Sequence, residues 1–242
     1  MDAVLQAFLQ RNLPNLTDAF QITLDARVPD GYTVYFDSGC VHIQAGSRIS
    51  ACNAIYDYLK HICRVNYSWC GNEVLSLTEI VPFEGRLEKA IAQKYRVYMN
   101  YCTLDYSVCW WDWARWEQEI DFMAMNGINM PLCVIGTEAV WFETLLEFGF
   151  TKEEALKTVS GPAFWAWQLM TNIEGYMPPQ NTEYIYERLA LGKKFSSGCS
   201  NSKCFRFSRA FRDMCPCCYG KNIRMHALPP RTAGVFSRKP HS

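Results

Sequence analysis

Apolar positions recur along this chain with two periods and in unbroken runs, and each pattern predicts a different element. Val4, Leu5, Phe8 and Leu9 form a stripe at helical spacing that Pro14 ends, which predicts a short amphipathic helix over residues 2 to 12. Alternation then takes over. Phe20, Ile22 and Leu24, then Tyr32, Val34 and Phe36, then Val41 and Ile43 predict three short strands punctuated by Asp30-Gly31 and Ser38-Gly39. Ser47 caps a second helix whose apolar face runs through Ile49, Cys52, Ile55, Leu59 and Ile62. Weaker strands are expected around Tyr67 to Cys70 and Val74 to Ile80, closing a module near Pro82, with Arg86 to Lys94 as a charged connector.

Past that connector the pattern changes. Tyr95 to Thr103 is rich in strand-forming residues, and Trp111 to Gly127 places Trp113, Trp116, Ile120 and Met123 on one helical face. Ile128 to Ile135 is a continuous apolar run of strand length, and a helix is expected from Glu138 to Phe148. Buried strand, helix, buried strand, helix describes a βαβα unit with parallel strands. Thr151 with Glu154 forms a capping box for one more helix, stopping before Gly161-Pro162, and Ala163 to Met170 carries Phe164, Trp165 and Trp167. The fold class is therefore α/β, with a doubly wound sheet or the start of a barrel after residue 95.

Among the 242 residues, 24 Lys+Arg balance 24 Asp+Glu, and 49% are apolar, enough for a packed core. The zero net charge argues against a surface built for nucleic acid or anionic lipid, yet it conceals two halves. Lys193 to Lys239 holds eleven basic residues and one acid, Asp213, whereas Met1 to Gly192 holds 13 basic and 23 acidic residues. The cysteines divide likewise. Seven lie before residue 192 (Cys40, Cys52, Cys63, Cys70, Cys102, Cys109, Cys133) at spacings that form no small disulfide framework, and five follow it. The sequons at Asn15 and Asn66 permit glycosylation in a secretory compartment, and such triplets also arise by chance. No basic n-region opens the chain, and no uncharged run approaches the roughly 20 apolar residues of a membrane helix.

The run RVYMNYCTLDYSVCWWDWARWEQEIDFMAMNGINMPLCVIGTEAVW from Arg96, followed by GPAFWAWQLMTN, closely resembles the α-N-acetylglucosaminidases. Their motif is similar to NxCTxxYSxxWWDWxRWExEIDxMAxNGIN. Asn100, Cys102, Thr103, Tyr106, Ser107, Trp110 to Trp113, Arg115 to Glu117, Glu119 to Asp121 and Asn126 to Asn129 fit it. Phe20 to Pro82 is similar in layout to the family's small N-terminal α/β domain, so the resemblance covers roughly residues 1 to 191. It implies an exo-glycosidase releasing terminal α-linked N-acetylglucosamine, in animals from heparan sulfate. A lysosomal or secretory setting, a glycan partner, and a TIM-type (α/β)8 barrel with two catalytic glutamates and retention are implied too. No cofactor or metal is implied.

On that resemblance residues 1–85 form the N-terminal domain, 95–191 the first βα units of an incomplete barrel, and 192–242 a basic tail expected to be disordered. A barrel needs about 250 residues, so residues 95–191 hold only its first two or three strands. The family's glutamates lie on later strands. Retaining hydrolysis needs two carboxyl groups roughly 5 to 5.5 Å apart, so this chain is expected to be inactive alone. A non-catalytic glycan-binding or regulatory fragment, or a nucleic-acid binder acting through the basic tail, are the alternatives.

By resemblance Asn100, Cys102, Tyr106 and Trp167 match positions lining the terminal-sugar site, with Asn100 and Cys102 ending the first barrel strand; core packing is the alternative for each. Trp110, Trp111, Trp113 and Trp116 are expected to pack the helix on the sheet. Glu117, Glu119 and Asp121 are expected to face solvent or pair with Arg115, and Glu138 to be a pocket carboxylate or a first-turn helix charge. The tail cysteines have gaps of four, ten, one and none, unlike the paired spacing of a zinc site. Loss of apolar period near Leu191 predicts that the family sequence is replaced there. Uncovered strand edges predict poor solubility or trimming toward the first 85 residues.

Overall fold

The computed structural model describes residues 1–69 and 71–201. It opens with α1 (Ala3–Asn12), capped by the Asp2 carboxylate accepting Val4 N–H at 3.1 Å and Leu5 N–H at 3.3 Å. Strands β1 (Phe20–Leu24), β2 (Gly31–Asp37) and β3 (Cys40–Ala45) then form a sheet with β1 parallel to β3 and β2 antiparallel to it. The β2–β3 turn has Ser38 at φ 50 and Gly39 at φ 81, the left-handed pair that a two-residue hairpin requires. Helix α2 (Arg48–His61), capped by Ser47 as expected, buries Ile49, Cys52, Ile55 and Leu59.

The expected connector is instead a strand. β6 (Arg86–Ala90) pairs antiparallel with β2, giving the order β1-β3-β2-β6, so the sheet extends past residue 85. Its charges escaped the alternation test because it is an edge strand. Leu87 pairs with Val34 and packs against the core, while exposed Arg86, Glu88 and Lys89 blunt the edge. The weaker strands shrink to a small hairpin, β4 (Tyr67–Ser68) and β5 (Gly71–Asn72), followed by a 3₁₀ turn at Glu73–Ser76 where a strand is expected. Asn72 captures Val74 N–H at 3.1 Å and turns the chain there.

The βα pattern beyond residue 95 is present with abbreviated strands. β7 (Val97–Tyr98) and β8 (Met130–Pro131) pair in parallel. Met99 at φ 69 ends the first, and Pro131, lacking an N–H, interrupts the second. Short α3 (Tyr101–Asp105) follows β7, and α4 (Trp113–Met125) follows with Asp112 as its N-cap. Because α4 starts at Trp113, Trp110 lies outside its register and is 70% exposed, while Trp116 is fully buried and Trp111 and Trp113 pack at the core's margin. At the other end Gly127 adopts φ 72 and Ile128 N–H bonds Met123 C=O at 2.9 Å, closing the helix. Helices α5 (Thr137–Glu147) and α6 (Lys152–Thr158, with the Thr151–Glu154 capping box) follow as expected, and the aromatic segment after Gly161-Pro162 forms a short helix, α7 (Trp165–Leu169).

Helix α8 (Thr182–Asn201) runs through the expected boundary at residue 192. It packs on α4 and α5, with Ile185 and Phe195 fully buried. Loss of apolar period does not end the helix: Phe195 packs on Trp116 of α4 at 5.0 Å between ring centroids, and Gly192 lies against the Ile135–Gly136 turn, where an added Cβ would stand 2.2 Å from Ile135 C=O. The remainder of the expected tail, with Cys204, Cys215, Cys217 and Cys218, lies outside the described residues.

One buried cluster runs from Leu5 and Phe20 through α2 to Trp116, Met123, Val134 and Phe195. The N-terminal sheet and the βα units therefore share a core, reinforced by polar contacts across their junction. Asp121, expected to face solvent or pair with Arg115, is 4% exposed and instead receives Arg11 Nε at 2.9 Å, Arg11 Nη2 at 2.7 Å and Asn12 Nδ2 at 2.8 Å. Asn53 Nδ2 donates to Met125 C=O at 2.7 Å, and Arg96 bridges Asp30 at 2.9 Å and the carbonyl of Gly127. Trimming at residue 85 would cut into this shared core.

Candidate functional site

The four residues singled out by sequence lie on two adjoining short helices. Asn100 does not end a strand. It caps α3, its Oδ1 accepting Thr103 N–H and Oγ1–H, each at 3.0 Å. The acceptor half of its amide is thereby occupied, and the Nδ2 donor remains for a ligand. Cys102 sits inside α3, half-buried with a free thiol. Tyr106 follows the helix and is 63% exposed. Trp167 lies in α7 and is half-buried. Core burial thus describes none of the four, and no hydrogen bond joins their side chains among the described residues.

What joins the two helices is Asp105, which the sequence reading passed over. Its carboxylate is 3% exposed and accepts Ala166 N–H on Oδ1 and Trp167 N–H on Oδ2, each at 2.8 Å. These are among the unpaired N–H groups at the start of α7. Burial pushes the Asp105 carboxyl above its ordinary value, while the two backbone donors pull it down. No spacing signal marks Asp105, since its partners are sixty residues downstream and are backbone atoms.

Behind Asp105 lies a second buried acid. Glu138 is 1% exposed, with Oε2 accepting Gly136 N–H at 2.8 Å and Oε1 facing Arg188 Nε of α8 at 3.3 Å. Glu138 stands in the first turn of α5, as one reading expects, and lines a small cavity with Asp105, Trp116, Trp165 and Arg188. That cavity measures about 10 Å³, the least space that holds a single water and far too small for a sugar. Burial raises the Glu138 carboxyl and Arg188 opposes the shift. Arg188 also donates Nη1 to Cys109 C=O at 3.2 Å, so α8 secures the segment after α3.

Glu119 likewise departs from the surface placement expected of it. It is fully buried and, as one expectation had it, pairs with Arg115 at 2.9 Å. Trp69 Nε1 donates to its other oxygen at 3.2 Å. Burial raises its carboxyl above the usual range, against the pull of Arg115. Among the described residues no group of three or more His, Cys, Asp or Glu side chains is placed to hold a metal ion, and no helix is long and apolar enough to cross a membrane.

Comparison with known proteins gives consistent findings. Residues 3–83 match the alpha-N-acetylglucosaminidase N-terminal domain, and residues 96–211 match the alpha-N-acetylglucosaminidase TIM-barrel domain. The second match passes the point near Leu191 where the family sequence is expected to end. Human alpha-N-acetylglucosaminidase is 39% identical over 142 residues, covering 57% of this chain and 19% of that protein. A family 89 glycoside hydrolase from Clostridium perfringens, solved with 2-acetamido-1,2-dideoxynojirmycin, superposes with a TM-score of 0.77 at 27% identity, covering 86% of this chain and 25% of that one. A form of the enzyme from the same organism with two glutamates changed to glutamine, solved with its substrate GlcNAc-alpha-1,4-galactose, gives a TM-score of 0.76 at 29% identity over 84% and 23%. The chain spans about a fifth to a quarter of the length of these relatives.

Proposed function

Since the chain belongs to the α-N-acetylglucosaminidase family, as a part of a family 89 type glycoside hydrolase, we propose that it carries one wall of the terminal-sugar site and binds N-acetylglucosamine without hydrolysing it. The observation that carries this reading is the Asp105 clamp, which holds α7 and Trp167 against the helix capped by Asn100. In this arrangement the Trp167 indole offers a flat apolar face for a pyranose. The Nδ2 of Asn100 donates to a hydroxyl, and the exposed Tyr106 phenol offers both a donor and an acceptor. Cys102 contributes a small, polarisable surface beside them.

Absence of turnover is supported by the acids nearest this wall. Asp105 and Glu138 share a cavity, yet each is engaged by backbone N–H groups or by Arg188, and the space between admits no glycosidic bond. Retaining hydrolysis needs one carboxylate free to attack and one carboxylic acid free to protonate the leaving oxygen. The glycan class, the heparan sulfate source and a lysosomal or secretory setting belong to the same proposal and rest on family membership alone.

The test is direct. Purified chain is mixed with a chromogenic α-N-acetylglucosaminide and, separately, titrated with N-acetylglucosamine. Saturable binding without release of the chromophore is expected, with binding lost in Asn100→Ala and Trp167→Ala. Turnover by the purified chain, or binding unaffected by both substitutions, would overturn the reading.

A further inference from the structure

Between the β4–β5 hairpin and α4 lies an open cavity of about 260 Å³. It uses none of the four residues discussed above. Trp69 forms one wall and is 48% exposed, a large indole that nothing among the described residues covers. The ring is nonetheless fixed. Its N–H is bonded to Glu119, its edge meets Trp111 at 5.2 Å between centroids, and the Arg115 guanidinium lies 5.4 Å from its centre. Arg115 is itself stacked on Trp111 at 3.8 Å and paired with Glu119, so its position is set before any ligand arrives.

The rim is made of planar polar groups. Gln118 is exposed, and its side-chain amide has no hydrogen-bond partner among the described residues. Asn72 uses Oδ1 to cap Val74 and keeps its Nδ2 donor. One of the five N–H donors of Arg115 goes to Glu119. Charge narrows the choice of ligand. The guanidinium and the Glu119 carboxylate neutralise each other inside the lining, so an anion would approach the carboxylate and a cation the guanidinium. A neutral molecule meets neither penalty. An aromatic plate ringed by amide and guanidinium donors complements a molecule with an apolar face and hydroxyls around its edge, and the volume admits a single six-membered ring.

We propose that the cavity between the β4–β5 hairpin and α4 is a binding site for one uncharged pyranose, stacked on Trp69 and hydrogen-bonded by Gln118, Asn72 and Arg115. The proposal does not depend on the sugar wall around Asn100.

Saturation-transfer NMR on the full chain with methyl α-D-glucopyranoside, and with methyl α-D-glucuronide as the charged control, tests it. The glucoside is expected to bind saturably with a dissociation constant of about 1 mM or weaker, as suits so small a ligand. Trp69→Ala should weaken it at least about fivefold and Gln118→Ala about threefold, while Phe148→Ala, an exposed aromatic remote from both sites, leaves it unchanged. Gln118 faces solvent, so its variant reports on binding even if Trp69→Ala unsettles the hairpin. No saturable glucoside binding, equal or tighter binding of the glucuronide, or binding unaffected by both Trp69→Ala and Gln118→Ala would each overturn the proposal.

Discussion

The Asp105 carboxylate accepts the backbone N–H of Trp167 at 2.8 Å, across sixty-two residues of sequence. One buried acid therefore sets the position of a tryptophan it touches only through the main chain. Asp105→Ala removes the acceptor and leaves the N–H groups of Ala166 and Trp167 buried without partners. A loss of about 1 to 3 kcal/mol is expected, with N-acetylglucosamine binding weakened as in Trp167→Ala although Asp105 has no open path to ligand. Denaturant titration and ligand titration of the same variant check both halves.

Gly192 separates helix propensity from packing. In an isolated helix Gly→Ala stabilises by about 1 kcal/mol. Here the new Cβ would stand 2.2 Å from the Ile135 carbonyl oxygen, so Gly192→Ala is expected to destabilise by about 1 to 3 kcal/mol. A rise in the urea midpoint would show that α8 does not press on the β8–α5 turn.

The Arg11–Asp121 pair predicts an asymmetry. The Asp121 side chain is 6% exposed and that of Arg11 39%. Arg11→Ala strands a buried carboxylate with Asn12 as its remaining donor, and a cost of about 3 kcal/mol is expected. Asp121→Ala leaves a guanidinium that can turn toward water, so it should cost less. Equal effects, or the reverse order, in chemical denaturation would contradict this account of the junction.

Asp2 supplies a pH signature. Its hydrogen bond with Arg48, opposed by burial and reinforced by the capping N–H groups of Leu5 and Val4, lowers its carboxyl below the usual value. A depressed folded-state value means the stabilisation is complete above the ordinary carboxylate pKa of about 4 and is lost as pH falls through the lower folded value. Asp2→Asn keeps a capping oxygen and removes the charge. Its stability deficit relative to the parent chain is expected at pH 6 and should shrink as the pH is taken below 4.

Local chemistry made much of this molecule legible in advance. The Ser47 and Thr151 caps, the Ser38-Gly39 turn, and helices α1, α2, α5 and α6 follow from side chains acting within a few residues of themselves. The tryptophan-rich motif likewise sufficed to place the chain in its family. What escaped were features whose cause lies elsewhere in the chain. β6 looks like a charged linker because an edge strand shows the core little more than Leu87. α8 shows no apolar period past Gly192 because that part of the helix is held by buried Phe195 on Trp116 of α4 rather than by a repeating stripe.

The same division runs through the candidate site. Asn100, Cys102, Tyr106 and Trp167 are identified by their place in a motif, which a linear sequence carries whole. That α3 and α7 adjoin, that Asp105 joins them, and that Glu119, Asp121 and Glu138 are buried acids rather than surface charges was decided by tertiary structure. Period and propensity report how a residue meets its near neighbours. Whether a carboxylate faces water or a guanidinium depends on groups fifty or a hundred positions away, as Arg188 is from Glu138 and Arg11 from Asp121, and only the folded chain brings those together.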